Sequence, residues 1–294
     1  AFRVDDTQKV GAGHGHVGQL RDGRVQVGES VSAQVDDDRR AAIVLNHSAT
    51  HLLHAALRTF LGEHVQQKGS LVAPDRLRFD FSHYEALTAE ELKRLETLVN
   101  DQIRSNAAAE TNVMPYQEAI ASGALAFFGD KYAEDVRVLK LGEFSTELCG
   151  GTHVGRAGDI GLLKITSESG IAAGVRRIEA VTGTGALAWL QANEVLLKDV
   201  ADLIKGGRDD VTDKVRALVE RNRALERELR ALKGRLATGG GQDLLKDAKD
   251  VGGVKVLAAR LDGADSKALR DAADKFKDRL GSGVIVLGAV ENDK

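Results

Sequence analysis

Cysteine, proline, methionine and tryptophan are almost missing from these 294 residues, which hold one Cys, two Pro, one Met and one Trp. A lone Cys149 excludes an internal disulfide framework and suits a reducing compartment, so a cytoplasmic location is expected. No apolar run approaches the roughly 20 residues that cross a bilayer, and no signal-peptide pattern is present, so no membrane partner is expected. An excess of one charge is also lacking: 41 Lys and Arg against 44 Asp and Glu give a net charge of −3. A nucleic-acid role would therefore rest on local patches. The only methionine is Met114 and the last residue, Lys294, follows closely on a strand-like run, a pattern expected of a piece of a longer protein. What is present, 43% hydrophobic and 29% charged residues, suffices for two or three globular domains.

One stretch organises the rest. In Asn46–Gly62, the helical period puts His47, His51, His54 and Arg58 on one face and Ala49, Leu52, Leu53, Ala56, Leu57 and Phe60 on the other. Asn46 is read as the N-cap and Gly62 as the residue just past the C-terminus. His47 and His51, four apart, bring two imidazoles to one point, as a tetrahedral Zn²⁺ requires of two ligands. Cys149 and His153 repeat that spacing around Gly150-Gly151, where a loop can bend about an ion, and supply the second half of a Cys/His₃ set. The bland alternative makes Cys149 an apolar filler and His153 incidental. Between His47 and His51 stand Ser48, Ala49 and Thr50, so the glutamate base of an H-E-x-x-H peptidase is missing. Four protein ligands suit a closed structural or substrate-gripping site, whereas three with an open position suit an activated water. His54 is read as lining the site behind the ligands.

Elsewhere the chain reads as α+β. Residues 1–45 alternate polar and apolar, as in Arg24–Gly28 and Val31–Val35, and are expected to form short antiparallel strands of a small barrel or sandwich, most simply a partial β-barrel. Gly13–Gly18 matches G-x-G-x-x-G, but a turn follows it where a dinucleotide site needs a helix. His14 and His16 are read as surface loop residues. Residues 46–184 form a mixed domain: Lys68-Gly69-Ser70 as loop, Leu77–Phe81 as strand, a helix capped by Thr88 with Glu91, then strands through Val113, Val136–Leu139, Ile160–Thr166 and Val175–Val181. In 185–238, Val211, Val215, Leu218, Asn222, Leu225, Leu229, Leu232 and Leu236 keep a four-three spacing, a coiled-coil seam in which Asn222 fixes register. The helix at about 186–204 is its expected antiparallel partner in a hairpin. Between Lys214 and Arg235 eight Lys and Arg face three Glu, read either as a solvated flank or as a phosphate-facing stripe. Thr238-Gly239-Gly240-Gly241 is a joint, and 239–294 spells strand, helix, strand, a partial βαβ terminal domain.

The residues NHSATHLLHAALR at 46–58, QKGSLV at 67–72, LRFDFSH at 77–83, ELCGGTHV at 147–154 and GIAAGVRRIEAVTG at 170–183 together resemble the alanyl-tRNA synthetase family in its editing domain and C-terminal portion. The resemblance covers essentially the whole chain. It implies hydrolysis of tRNA(Ala) mischarged with serine or glycine, a zinc site at His47, His51, Cys149 and His153, and a place for Gln67 in the editing pocket. Cys149, Gln67 and Arg58 are the residues expected to act on substrate. Arg58, Lys68, Arg78, Arg176 and Arg177 are candidates to meet the tRNA 3′ end, or else ordinary surface charges. The terminal portion implies tRNA binding and a possible homodimer. ATP would serve only an activating domain that this chain lacks. The editing domain of threonyl-tRNA synthetase shares the paired-histidine and Cys/His logic, but CGGTH followed by this coiled coil resembles the alanyl family better. A free-standing editing deacylase and a non-catalytic, zinc-stabilised tRNA-binding and dimerisation module are the competing readings.

Overall fold

The computed structural model describes residues 1–11, 13–126, 132–237, 244–261, 264 and 266–289. The joint read at Thr238-Gly239-Gly240-Gly241 and the end of the last strand reading at Val290 lie outside these residues. The chain divides into two compact units, Ala1–Leu190 and Gln191–Lys294.

The first unit opens with an antiparallel hairpin of β1 (Phe2–Val10) and β2 (Gly13–Leu20). The glycine-rich stretch is therefore a strand, and a Cβ on Gly18 would stand 1.9 Å from the carbonyl oxygen of Arg3, a close approach that only glycine permits. Two further expected strands do not form. Arg24–Gly28 and Val31–Val35 lie outside regular strands, and the described residues contain no closed barrel. Val25, Val27, Val31 and Val35 are all exposed, so their alternation has no facing surface on which to bury one side.

Helix α1 (Asp37–Leu61) starts ten residues before the position the sequence suggested, its cap being Asp36 and not Asn46. Asp36 caps it by accepting from the Arg39 amide, and Asp37 and Asp38 suit the positive N-terminal end. Asn46 is thus not a cap but a buried cross-link in the helix, with Nδ2 donating to the Ala73 carbonyl at 2.8 Å and Oδ1 accepting from the Thr182 hydroxyl at 2.7 Å. At the other end Gly62 does close the helix: its φ is positive and its amide donates to the Arg58 carbonyl.

After α1 come β3 (Gln67–Val72), β4 (Leu77–Ser82) and α2 (Ala89–Ser105), whose Thr88–Glu91 capping box is formed as read. The residues read as a loop at Lys68-Gly69-Ser70 belong to β3; a bulge between Gln67 and Gly69 takes up Lys68, and a Cβ on Gly69 would press on Asp80 at 3.2 Å. Next come β5 (Ala109–Pro115), α3 (Tyr116–Ala121), β6 (Asp135–Leu141), β7 (Ser145–Leu148), a 3₁₀ turn at Ala157–Ile160, β8 (Leu163–Ala172) and β9 (Val175–Thr182). Strands β3-β4-β9-β8 make an antiparallel sheet in that order, and β5-β6-β7 a second one. Leu77, Phe79, Phe81, Ile178 and Ala180 of the first sheet join Leu52, Leu53 and Leu57 of α1 and Leu95, Val99 and Ile103 of α2 in one core. Each such side chain contributes about 1.5–3 kcal/mol on burial. Leu139 and Leu141 of β6 belong to that core, while Val136 and Val138, on the opposite face, pack with Ala119 of α3. The second sheet thereby stands with one face toward the core that α1 anchors.

Helix α4 runs Gly183–Leu203. In the second unit, α5 (Val211–Ala237) carries the four-three stripe, yet Leu218, Leu225, Leu229 and Leu232 are exposed and Asn222 is exposed with its Nδ2 donating to Glu226. The expected hairpin does not bury this part of the seam, since Leu218, Leu225, Leu229 and Leu232 stand open. Beyond it lie β10 (Lys249–Val251), β11 (Val254–Arg260), α6 (Ser266–Leu280) and β12 (Val284–Gly288). β11 and β12 are parallel, and Ala268, Ala272 and Phe276 of α6 bury against Leu257 and Leu261, which makes the βαβ unit the sequence spelled. Among the described residues no helix is long and apolar enough to cross a membrane.

Candidate metal centre

The four residues singled out from the sequence come together. One ligand atom from each of His47, His51, Cys149 and His153 lies within 4.8 Å of the others. The helix supplies two because i and i+4 share a face. The other two come from the loop that leaves β7, whose end stands beside α1.

The hydrogen bonds around the rings fix which nitrogens are available. His47 Nδ1–H donates to the Thr152 carbonyl at 3.2 Å, which leaves Nε2 facing Cys149 Sγ at 3.5 Å. His51 Nδ1–H points to a buried carboxylate, Glu147 Oε2, at 2.5 Å, and its Nε2 is buried with no hydrogen-bond partner. Both ring nitrogens of His153 are in the same condition. Buried nitrogens without partners are costly unless something binds them. Three imidazole nitrogens and a cysteine sulfur, converging on one point, fit a zinc ion by donor chemistry and by this unmet demand.

Glu147 was not recognised as functional in the sequence. It is 1% exposed and also accepts from His54 Nδ1 at 2.8 Å, so one carboxylate orients both rings. His54 itself is outside the four and packs against Phe79 with ring centroids 5.2 Å apart. A signal for Glu147 existed: Ser145, Glu147 and Cys149 alternate onto one face of β7 and its extension, and an acid two residues before a candidate ligand on one strand face lies close enough to serve the cluster. Burial pushes the Glu147 carboxyl up, but the His51 charge and the hydrogen bonds from His51 and His54 together outweigh it and hold the group well below the usual range. Burial likewise pushes His51 down, and Glu147 and Cys149 together more than reverse this. At Cys149 burial raises the thiol, while the adjacent imidazoles of His153, His47 and His51 together outweigh it and bring it down to about 3, which favours the thiolate at neutral pH.

The stretch 136–179 matches the family model of the threonyl and alanyl tRNA synthetase second additional domain. Over 292 residues, 99% of the chain, the identity to alanine--tRNA ligase of Stenotrophomonas maltophilia strain K279a is 61%, and 33% of that protein is covered. With alanine--tRNA ligase of Xanthomonas axonopodis pv. citri strain 306 it is 58% over 295 residues, covering 100% of the chain and 33% of the relative. The chain belongs with the C-terminal portion of the alanine--tRNA ligase family. It spans about a third of the length of the curated relatives it matches. The matched stretch carries β6, β7, the Cys149–His153 loop and β8, an editing-related portion, while His47 and His51 reach the cluster from outside it.

Other expected site residues are placed differently. Gln67 pairs with Phe81 across β3 and β4, so it shares the sheet face that carries Phe79, the ring His54 packs on; its Nε2 donates to Ser70 Oγ at 3.2 Å. Arg58 is committed to the fold, its Nη1 donating to the carbonyls of Glu63 and Val65 at 2.8 and 2.9 Å and holding the turn after α1. Arg176 forms a two-pronged pair with Glu168, and Arg177 with Asp80, which also has Arg78 Nε at 3.5 Å. Lys68 is exposed, its Nζ 3.4 Å from Gln66 Oε1. His14 and His16 are exposed strand residues, the latter bonded to Thr7.

Gly151 offers a local test. A Cβ there would stand 2.2 Å from His47 Cε1, so Gly151→Ala must rotate the imidazole away while leaving the backbone free to fold. Zinc affinity of the alanine variant should fall at least roughly tenfold, the scale of disturbed ligand orientation. Competition with a chromophoric chelator measures this, and unchanged melting of the metal-free protein separates it from misfolding.

Proposed function

We propose that this segment is an editing deacylase, hydrolysing the ester of tRNA(Ala) that carries serine or glycine in place of alanine. The observation that carries the reading is the convergence of His47 and His51 with Cys149 and His153 from about a hundred residues further on, in a chain matching alanine--tRNA ligases along its length. A pocket shaped for alanine gains little discrimination against a side chain that adds a hydroxyl or lacks a methyl, so a second, hydrolytic site is the physical remedy.

In this reading His47, His51, Cys149 and His153 hold Zn²⁺. A zinc ion there supplies a Lewis acid to the substrate's carbonyl, amine or hydroxyl. Glu147 keeps the His51 proton on Nδ1, so that Nε2 presents its lone pair, and aligns His54 beside it. Gln67, on the same sheet face, positions the aminoacyl group. Lys68, exposed on β3, meets a phosphate of the tRNA 3′ end, whereas Arg176 and Arg177 stay in their carboxylate pairs and shape the sheet. The ATP-dependent ligase reaction is not assigned to these residues. A cytoplasmic place and homodimer formation belong to the same proposal, the latter supported by the exposed stripe on α5.

The test is metal analysis together with deacylation. The purified protein should hold about one zinc per chain, as the donor set predicts. It should release serine from Ser-tRNA(Ala) while sparing Ala-tRNA(Ala). If metal-loaded protein leaves Ser-tRNA(Ala) at the buffer rate, the deacylase reading is wrong.

A further inference from the structure

We propose that Arg137, a residue of β6, is a positioning residue that holds the Cys149–His153 loop in its ligand-presenting conformation; the inference rests on the reading that the four residues bind a metal. The ladder between β6 and β7 ends at Val138 opposite Leu148. One step further the Cys149 amide still donates to the Arg137 carbonyl at 2.9 Å, and then the chain leaves the sheet. Gly150 and Gly151 follow, and neither has a side chain with which to anchor itself. Their carbonyls are held instead by the Arg137 guanidinium, whose Nη1 donates to Gly150 O at 3.1 Å and Gly151 O at 2.7 Å. One residue thus grips three consecutive loop residues, its backbone taking the first and its side chain the next two.

The placement follows from the strand's period of two. Arg137 shares a β6 face with Leu139 and Leu141, which enter the core that α1 anchors, and Leu139 stands opposite Glu147. Arg137, Glu147 and Cys149 therefore lie on the α1 side of one sheet. Glu147 holds ligands on the helix, and Arg137 holds the ligand loop. Two glycines sample more backbone conformations than any other pair of residues, so without an anchor the Cys149 sulfur and the His153 ring would seldom meet His47 and His51. An arginine on a face otherwise filled by leucine was visible in Val136-Arg137-Val138-Leu139, but its partners are backbone carbonyls, which a sequence does not display.

The experiment compares zinc affinity, by chelator competition, and the visible spectrum of the Co²⁺-substituted protein for wild type, R137M and R137K. Methionine keeps length and removes the donors. Because a single nitrogen serves both carbonyls, the lysine ammonium can replace it. R137M should bind zinc roughly 10–100-fold more weakly, the scale for lost supporting contacts, with an altered Co²⁺ band pattern. R137K should recover most of both, and all three metal-free proteins should melt together. If R137M does not fold, R137Q takes its place in the same comparison. Wild-type-like zinc binding and spectrum in R137M, or an R137K as impaired as R137M, overturns the proposal. A wild-type protein that takes up no zinc overturns the metal reading and this inference with it, whereas failure of R137M alone to differ leaves the metal reading standing.

Discussion

Cys149→Ala is expected to abolish zinc retention and Ser-tRNA(Ala) hydrolysis together while leaving the fold intact. The sulfur is the one anionic donor among three imidazoles, and those imidazoles already hold it as a thiolate. Its removal should cost more than the roughly 10–100-fold that outlying supports of a metal site are worth. The fold should survive because the loop is fastened on both sides of residue 149. Leu148 packs with the α3 face of β6, Val154 lies in the α1 core, and the Val154 amide donates to Ser48 Oγ at 3.1 Å. Metal content by elemental analysis, deacylation and thermal melting form the measurement. If the ion is purely structural, the same substitution should instead lower the melting temperature of the zinc-loaded protein steeply, and substitutions at Gln67 should leave hydrolysis untouched. Acidification acts in the same direction as the mutation. Protons compete with the ion for His51 Nε2, whose hold on a proton the neighbouring Glu147 carboxylate raises, so zinc affinity should fall as the pH is lowered from about 10 toward neutrality.

The sequence made the four-residue cluster legible because both halves use a fixed local spacing, and the helical half needs only the period of 3.6 to be placed on one face. It was poorer wherever a residue's purpose depended on a distant partner. Asn46 reads as a helix cap by its chemistry, but Asp36 wins the cap and Asn46 serves Ala73 and Thr182, far away in sequence. Arg58 falls on the histidine face of the wheel, yet it lies two turns beyond His51 and turns its guanidinium to carbonyls after the helix. Alternation at Arg24–Gly28 and Val31–Val35 promised strands, but period two marks a strand only where one side finds a surface. The α5 stripe shows the same limit, since spacing announces a seam without saying what covers it. Glu147 and Arg137 went unrecognised as supports because their roles are set by the β6–β7 register.

Phe79→Ala should have the largest effect on stability, at about 3–5 kcal/mol. Its side chain is fully buried on β4, stacked on Phe81 with centroids 6.2 Å apart on one side and against His54 on the other. It therefore connects the sheet to the helix that carries the ligands, and β3 and β9 flank it, so the surrounding backbone is fixed by ladders and has little freedom to collapse into the void. For a domain whose total stability is on the order of 5–15 kcal/mol, such a loss is a large share. Chemical denaturation of chelated protein measures it with ligand binding held out of the comparison. Zinc affinity of the fraction that remains folded should change only a few-fold, because His51 is oriented by Glu147 and His47 by Thr152, and neither contact involves Phe79. The pattern is the reverse of that expected for Gly151→Ala, where affinity falls and stability holds. If Phe79→Ala weakened zinc binding as strongly as Gly151→Ala, the ligands would owe their orientation to core packing, and the assignment of that task to Glu147 and the loop carbonyls would be wrong.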